Sequence, residues 1–278
     1  MQQRRPPRSR PPRSGPPQSR DRPKRPSRPA GKPPAPQDDE IRVSGPRAVE
    51  ALFRRDPDAI RRLYLDHEQA SAYGAICQHL ATRRRPYAVK DATELAKIAG
   101  TLHHGGIVAV TGLRAPRLPG RGEFAAWAER RLPVLVLDGV SNPHNLGALV
   151  RSAAFLGIET VVLSDRPEQA LPSPAAYRVA EGGMESVELW RPPSLAPFLA
   201  ELGRRHRLVA ASPRGASLAG FKRDQRPVAL VLGNEEHGLS PAVARIVPEL
   251  VAIPGTDRVE SLNVSVAAGI LMYELLRG

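Results

Sequence analysis

Three segments of this chain place polar residues where an apolar strand runs out or an apolar helix begins. In the first, Leu137–Ala153 (LDGVSNPHNLGALVRSA), an apolar run ends in a Pro-containing turn and a helix is expected from about Asn145. Arg151 lies one turn from Gly147 on the same helical face. Beside Val150, Ser152 and Ala153 it reads as a half-buried charge that needs a phosphate or a carboxylate. Gly147 costs a helix about 1 kcal/mol relative to Ala, and it makes room for another backbone or a ligand. Asn145 has two readings, a helix N-cap or a ligand contact. In the second segment, Val231–Pro241 (VLGNEEHGLSP), a strand enters a glycine-bounded polar loop, and Ser240-Pro241 then opens a helix as N-cap and first residue. Gly233 lets a ligand approach the backbone, and Glu235 either meets that ligand or satisfies nearby N–H groups. The third, Ile253–Gly269 (IPGTDRVESLNVSVAAG), leads into a helix that is small or apolar nearly all round, with Ser261 as a cap. Asn263 in its first turn must find partners, in the protein or in a substrate.

Other chemistries have no residues to support them. The chain contains no complete G-x-G-x-x-G, no P-loop, no H-E-x-x-H and no G-x-S-x-G. Its seven His are scattered apart from His103-His104, and adjacent His do not share a helical face, so no metal is expected. The one cysteine, Cys77, excludes a disulfide framework and fits a reducing cytoplasm.

The elements that must hold these segments alternate. Strands are expected at Val134–Leu137, Thr160–Leu163, Ser186–Trp190, Leu208–Ala211, Val228–Leu232 and Leu250–Ile253. Helices are expected at Asn145–Gly157, Ala175–Ala180, Leu195–Arg204, Ala242–Val247 and Ser261–Leu276. Apolar strands alternating with helices predict an α/β domain with a mostly parallel sheet covered on both faces, over residues 132–278. Residues 41–112 read as a separate small α/β unit, with a helical pattern at Val49, Leu52 and Phe53, a strand at Arg61–Leu65, a helix at Ala70–Arg83 and a strand at Gly106–Val110. Residues 113–131, with Pro116, Pro119, Gly120 and Gly122, read as a linker holding at most one short helix. Residues 1–40 are almost all Arg, Pro, Ser, Gly and Gln and read as a disordered basic arm.

The net charge of +13 points to a polyanionic partner, and the 4% of aromatic residues argues against a base-stacking platform. No apolar run is long enough to span a bilayer, and the N-terminus lacks the apolar stretch of a secretory signal, so the expectation is a soluble cytoplasmic protein with no membrane partner.

Taken together and in order, the motifs Asn145/Gly147/Arg151, Gly233-Asn234-Glu235, and Ile253-Pro254 followed by Ser261-Leu262-Asn263-Val264-Ser265 closely resemble the SpoU (TrmH-like) family of the SPOUT methyltransferase superfamily. The resemblance covers roughly residues 132–278, and residues 43–111 look more loosely like the family's N-terminal RNA substrate-binding domain. It implies a trefoil knot in the C-terminal domain, against the general rule on threaded chains, and a homodimer. It implies S-adenosyl-L-methionine held by main-chain groups near Gly233, Ile253 and Leu262. It also implies a catalytic Arg151, with Asn145, Glu235, Ser261 and Asn263 completing the site. The expected reaction is methyl transfer to a ribose 2′-hydroxyl of structured RNA, ribosomal RNA ahead of transfer RNA.

A sulfonium methyl is already activated, so the difficulty lies in the hydroxyl, which must be placed in line and lose its proton. Arg is a poor free base, because its pKa exceeds about 12. Two versions are open: Arg151 takes the proton after perturbation by its surroundings, or it stabilises the alkoxide and orients a phosphate that accepts the proton. Two other functions compete: a base-directed RNA methyltransferase, and a non-catalytic RNA-binding or ribosome-assembly protein of the same fold.

The arm holds eleven Lys or Arg against four Asp or Glu, a net of +7, and has no aromatic residue with which to read bases. Deleting residues 1–37 should weaken binding to all RNAs alike. Each phosphate that the arm no longer neutralises should flatten the slope of log affinity against log salt by about 0.7, and the methylated position should not change. Titrations at several salt concentrations check this; an unchanged slope would show the arm to be inert.

Overall fold

The structure, a computed structural model, describes residues 39–256 and 258–276; the basic arm lies outside the described residues apart from Asp39 and Glu40. The small unit begins one residue earlier than its composition suggested, because Glu40 already opens a strand. Its elements are β1 (Glu40–Ser44), α1 (Pro46–Arg55), β2 (Ile60–Leu65), α2 (His67–Ala72), α3 (Gly74–Thr82), β3 (Tyr87–Val89), α4 (Ala92–Ala99) and β4 (Ile107–Gly112). The sheet order is β1-β4-β2-β3, antiparallel except for the β2–β3 pair. The single helix expected over Ala70–Arg83 is two helices that break at Tyr73-Gly74. The first is capped by Asp66, whose carboxylate accepts from the Gln69 N–H at 2.8 Å. β1, β3 and α4 had not been expected. They are short, and the first two lie at the sheet edges, where an alternating pattern has little length in which to show.

Residues 113–131 do more than connect. They carry α5 (Arg121–Glu129), whose Trp127 is buried with its ring 5.4 Å from Trp190 and 6.3 Å from Phe198.

The large sheet follows: β5 (Val134–Asp138), α6 (Pro143–Phe155), β6 (Thr160–Leu163), α7 (Pro174–Ala180), β7 (Glu188–Trp190), α8 (Leu195–Leu202), β8 (Arg207–Ser217), β9 (Val228–Gly233), α9 (Pro241–Ala244), β10 (Glu249–Ala252) and α10 (Val264–Leu275). Its order is β10-β8-β9-β5-β6-β7 and every pairing is parallel. β5 and β6 are buried along their whole length, which is why Val134–Leu137 and Val161–Leu163 read as apolar runs. From β5 the chain builds β6 and β7 to one side, then crosses to lay β8, β9 and β10 on the other. β5 and β9 therefore flank a topological switch point, where parallel α/β sheets open a crevice at their carboxyl ends. Asp138 pairs with Gly233 there, so the first two polar segments leave the sheet side by side. The third leaves from β10 at the edge and returns to the centre, where α10 packs on α6 and β9.

Apolar residues of the small sheet and of one face of the large sheet form a single continuous cluster. At the junction the Glu185 side chain is only 7% exposed, with Arg55 and Arg114 each 3.8 Å from its Oε2. Burial pushes its carboxyl up in pKa, opposed by the two guanidinium groups.

Candidate active site

Asn142, not Asn145, caps α6. Its Oδ1 accepts from the His144 N–H at 2.8 Å, and Pro143 occupies the first helical position. That releases the Asn145 side chain, which donates from Nδ2 to Glu235 Oε1 at 2.8 Å. The other Glu235 oxygen accepts from the N–H (3.3 Å) and hydroxyl (3.4 Å) of Ser141. Burial pushes the Glu235 carboxyl up in pKa. Hydrogen bonds from Asn145 and from the backbone N–H groups of Glu235, Ser141 and Asn142 outweigh it and hold the group below the usual carboxylate range. Asn263 completes the chain, donating from Nδ2 to Asn145 Oδ1 at 3.3 Å. The same Asn263 caps α10, its Oδ1 accepting from the Ser265 N–H at 2.9 Å and from its hydroxyl at 2.6 Å. The cap expected at Ser261 is thus two residues later, and Ser261 is exposed. Three residues from three segments, Asn263, Asn145 and Glu235, are tied in series.

The backbone beneath them is braced. Asn234 donates from Nδ2 to the Gly139 carbonyl at 2.8 Å, while its own N–H and C=O pair with Gly238 at 2.9 Å each. The Gly139 N–H donates to Ser164 Oγ and Gln169 Oε1, both at 3.0 Å. Asp138, buried at the end of β5, accepts from the Ser240 N–H at 2.6 Å. Ser240 caps α9 as expected, through the Val243 N–H. Asp138 and Ser141 were not singled out from the sequence, and Asn234 was named only as part of the Gly233-Asn234-Glu235 motif; the signal for Asp138 was a carboxylate closing an otherwise apolar strand.

Both glycines have structural causes. A Cβ on Gly147 would lie 2.6 Å from the Ala176 carbonyl oxygen, so the close approach is that of the α7 backbone. A Cβ on Gly233 would lie 2.4 Å from the Gly238 carbonyl carbon and 2.6 Å from the Leu239 nitrogen. The residue lets the Asn234–Gly238 loop close on itself, where the sequence had suggested space for a ligand.

Arg151 stands apart from the Asn145 chain. Six residues on, it is about 9 Å further along α6 at 1.5 Å per residue. It is exposed, not half-buried as expected, and its Nη2 pairs with Glu181 Oε2 at 3.1 Å. It lines a groove of about 320 Å³ with Ser152, Phe155, Leu156, Gly269 and Tyr273, between α6 and α10. Ile253 is half-buried, and Leu262 is exposed in the irregular stretch before α10. Among the described residues no three His, Cys, Asp or Glu side chains cluster as metal ligands would, and no helix is long and apolar enough to cross a membrane.

Residues 133–273 match the SpoU rRNA Methylase family, and residues 42–115 match the RNA 2′-O ribose methyltransferase substrate binding domain. The chain belongs to the SpoU rRNA methylase family. It is thereby an RNA methyltransferase of the 2′-O-ribose class. Among similar proteins, this SpoU member is 36% identical over 241 residues to the "Uncharacterized tRNA/rRNA methyltransferase YfiF" of Escherichia coli O157:H7, covering 86% of the chain and 68% of that protein. It is 33% identical to the 23S rRNA (guanosine-2′-O-)-methyltransferase RlmB of Nitrosomonas europaea, covering 84% of the chain and 90% of that protein. A solved structure described as a putative RNA methyltransferase of the TrmH family from Porphyromonas gingivalis superposes with a TM-score of 0.67 at 26% identity, covering 86% of this chain and 90% of that one.

Proposed function

We propose that this SpoU member transfers the methyl group of S-adenosylmethionine to a ribose 2′-hydroxyl of ribosomal RNA. The observation that carries the proposal is the Asn263–Asn145–Glu235 series at the carboxyl ends of β5 and β9. Residues 41–112 serve as the substrate-binding domain, residues 113–131 as the connection, and residues 132–278 as the catalytic domain, with the trefoil knot of the family. The single Cys77 fits a cytoplasmic setting.

The residues around Gly233, Ile253 and Leu262 suit such a cofactor. Leu262 and Val259 expose apolar side chains beside backbone that is in no regular element, a combination of flat apolar cover and polar edge that fits an adenosyl group. S-adenosylmethionine, when bound, supplies a methyl group on a sulfonium. The chain supplies placement and charge. Glu235, held ionised and weakly basic, orients Asn145 and does not take the proton. Asn145 and Asn263 order the polar floor on which the nucleotide rests, and the exposed Ser261 lies two residues before Asn263. Arg151 is a guanidinium in an ion pair and has no lone pair to accept a proton. We therefore assign it to stabilising the alkoxide and orienting the phosphate that accepts the proton.

Tritiated methyl transfer from S-adenosylmethionine to total RNA tests the reading. A 2′-O-methyl group blocks alkaline cleavage of the adjacent phosphodiester, so the label should appear in alkali-resistant dinucleotides of the ribosomal fraction. Label in mononucleotides would indicate a base methyltransferase, and no incorporation a non-catalytic protein.

The homodimer belongs to the same reading. Phe155 on α6 is 88% exposed, and Val266 (53%), Ile270 (38%) and Tyr273 (47%) leave one side of α10 uncovered. Burying a side chain such as Phe is worth roughly 1.5–3 kcal/mol, which favours a second copy seated on this groove beside Arg151. Light scattering at micromolar concentration should give twice 30.1 kDa. Ile270→Asp should give the single-chain mass, and a monomeric wild type would refute the assignment.

A further inference from the structure

Where the small unit meets the large sheet, one carboxylate touches an arginine from each. Glu181 ends α7 in the left-handed region, with φ 44 and ψ 46, a conformation that a non-glycine residue adopts only at a cost. Its Oε2 lies 2.9 Å from Arg47 Nη1 and 3.1 Å from Arg151 Nη2. The next two residues hold the backbone in this strained turn. A Cβ on Gly182 would lie 2.7 Å from Ala51 Cβ and 3.0 Å from the Arg47 carbonyl oxygen. A Cβ on Gly183 would lie 3.1 Å from Arg151 Cα and 3.2 Å from the Val150 carbonyl oxygen. The Glu181–Gly183 turn is thus clamped between α1 of the small unit and the Arg151 turn of α6.

We infer that Glu181 is a positioning residue for Arg151, fixing its guanidinium relative to the substrate-binding unit through Arg47. The inference rests on the role given to Arg151 above. An exposed arginine samples many rotamers, and an ion pair between two free side chains stabilises little. Here the carboxylate is carried by a turn that two helices hold in place, so the pair fixes direction more than it adds stability. It occupies one edge of the Arg151 guanidinium and leaves donors open to RNA. Two guanidinium groups share one carboxylate, so the trio keeps a net positive charge at the junction and still attracts phosphate.

The test is steady-state methyl transfer to total RNA by the full chain, with melting temperatures measured in parallel. Glu181→Gly removes the carboxylate and relieves the left-handed backbone. We expect kcat to fall about tenfold, KM for RNA to stay within about twofold, and the melting temperature not to fall. Glu181→Gln keeps the side-chain length, covers the case in which the glycine loosens the turn, and should show the same loss in kcat. Arg47→Met should lower kcat about threefold alone and add nothing in the Glu181→Gly background, since it acts through Glu181. Wild-type kcat in both Glu181 variants would overturn the inference. So would an Arg47→Met effect that falls on KM and is equal in both backgrounds, because Arg47 would then be an independent RNA contact. Failure of the underlying reading looks different: there Arg151→Ala itself would keep its turnover.

Discussion

Arg151→Ala is expected to lower methyl transfer about a hundredfold or more, the usual consequence of removing a donor that stabilises charge in the transition state. The side chain is exposed on α6 and among the described residues pairs only with Glu181, so its loss should change stability by no more than about 0.5 kcal/mol. The residues proposed to hold S-adenosylmethionine, Gly233, Ile253 and Leu262, lie on other elements, and cofactor affinity measured by calorimetry should stay near that of the wild type. The effect is therefore expected in kcat, with a folded protein that still binds its cofactor. Turnover above about a tenth of wild type, a loss of under roughly 1.4 kcal/mol, would remove Arg151 from the catalytic set.

Gly233→Val should abolish both binding and turnover, for a reason that lies in the loop itself. A Cβ at this position would sit 2.4 Å from the Gly238 carbonyl carbon, a contact that only movement of the backbone can relieve. The paired bonds between Asn234 and Gly238 would open, and with them the Asn234 bond to Gly139 and the seat of Glu235. Overpacking of this kind costs about 1–3 kcal/mol, which the continuous core should absorb without global unfolding. Circular dichroism should report a folded protein and calorimetry at least about a tenfold loss in S-adenosylmethionine affinity, since a displaced loop no longer offers its backbone. Unchanged affinity in a folded Gly233→Val protein would show that this loop does not hold the cofactor.

These two residues also separate what was legible in the sequence from what was not. The identity of both was readable, because an arginine in a small-residue helix face and a glycine at a strand end are locally unusual. Their surroundings were not. Arg151 was expected half-buried from its sequence neighbours, yet the partner that decides its environment, Glu181, is thirty positions away on another helix. Gly233 was assigned to a ligand, whereas the atoms that forbid a side chain belong to a turn that closes back on it. The choice of Asn142 over Asn145 as the α6 cap was within reach, because Pro143 fits the first helical position and so points to the residue before it.

The sequence by itself determined the elements whose signal is local: the apolar runs of strands β5, β6 and β9, the Ser240-Pro241 helix start, the polar segments that interrupt them, and a family resemblance carried by short motifs in order. Only the tertiary structure decided which of those segments meet. Placing β9 beside β5, with β6 on the other side, puts Gly233 against Asp138 and brings Glu235 to Asn145 across 90 positions and Asn263 to Asn145 across 118. Such contacts leave no periodic trace in the chain, because each residue's local conformation is the same whether or not its distant partner arrives. They are selected by the burial of the apolar faces of the strands and helices, to which the polar side chains themselves contribute nothing.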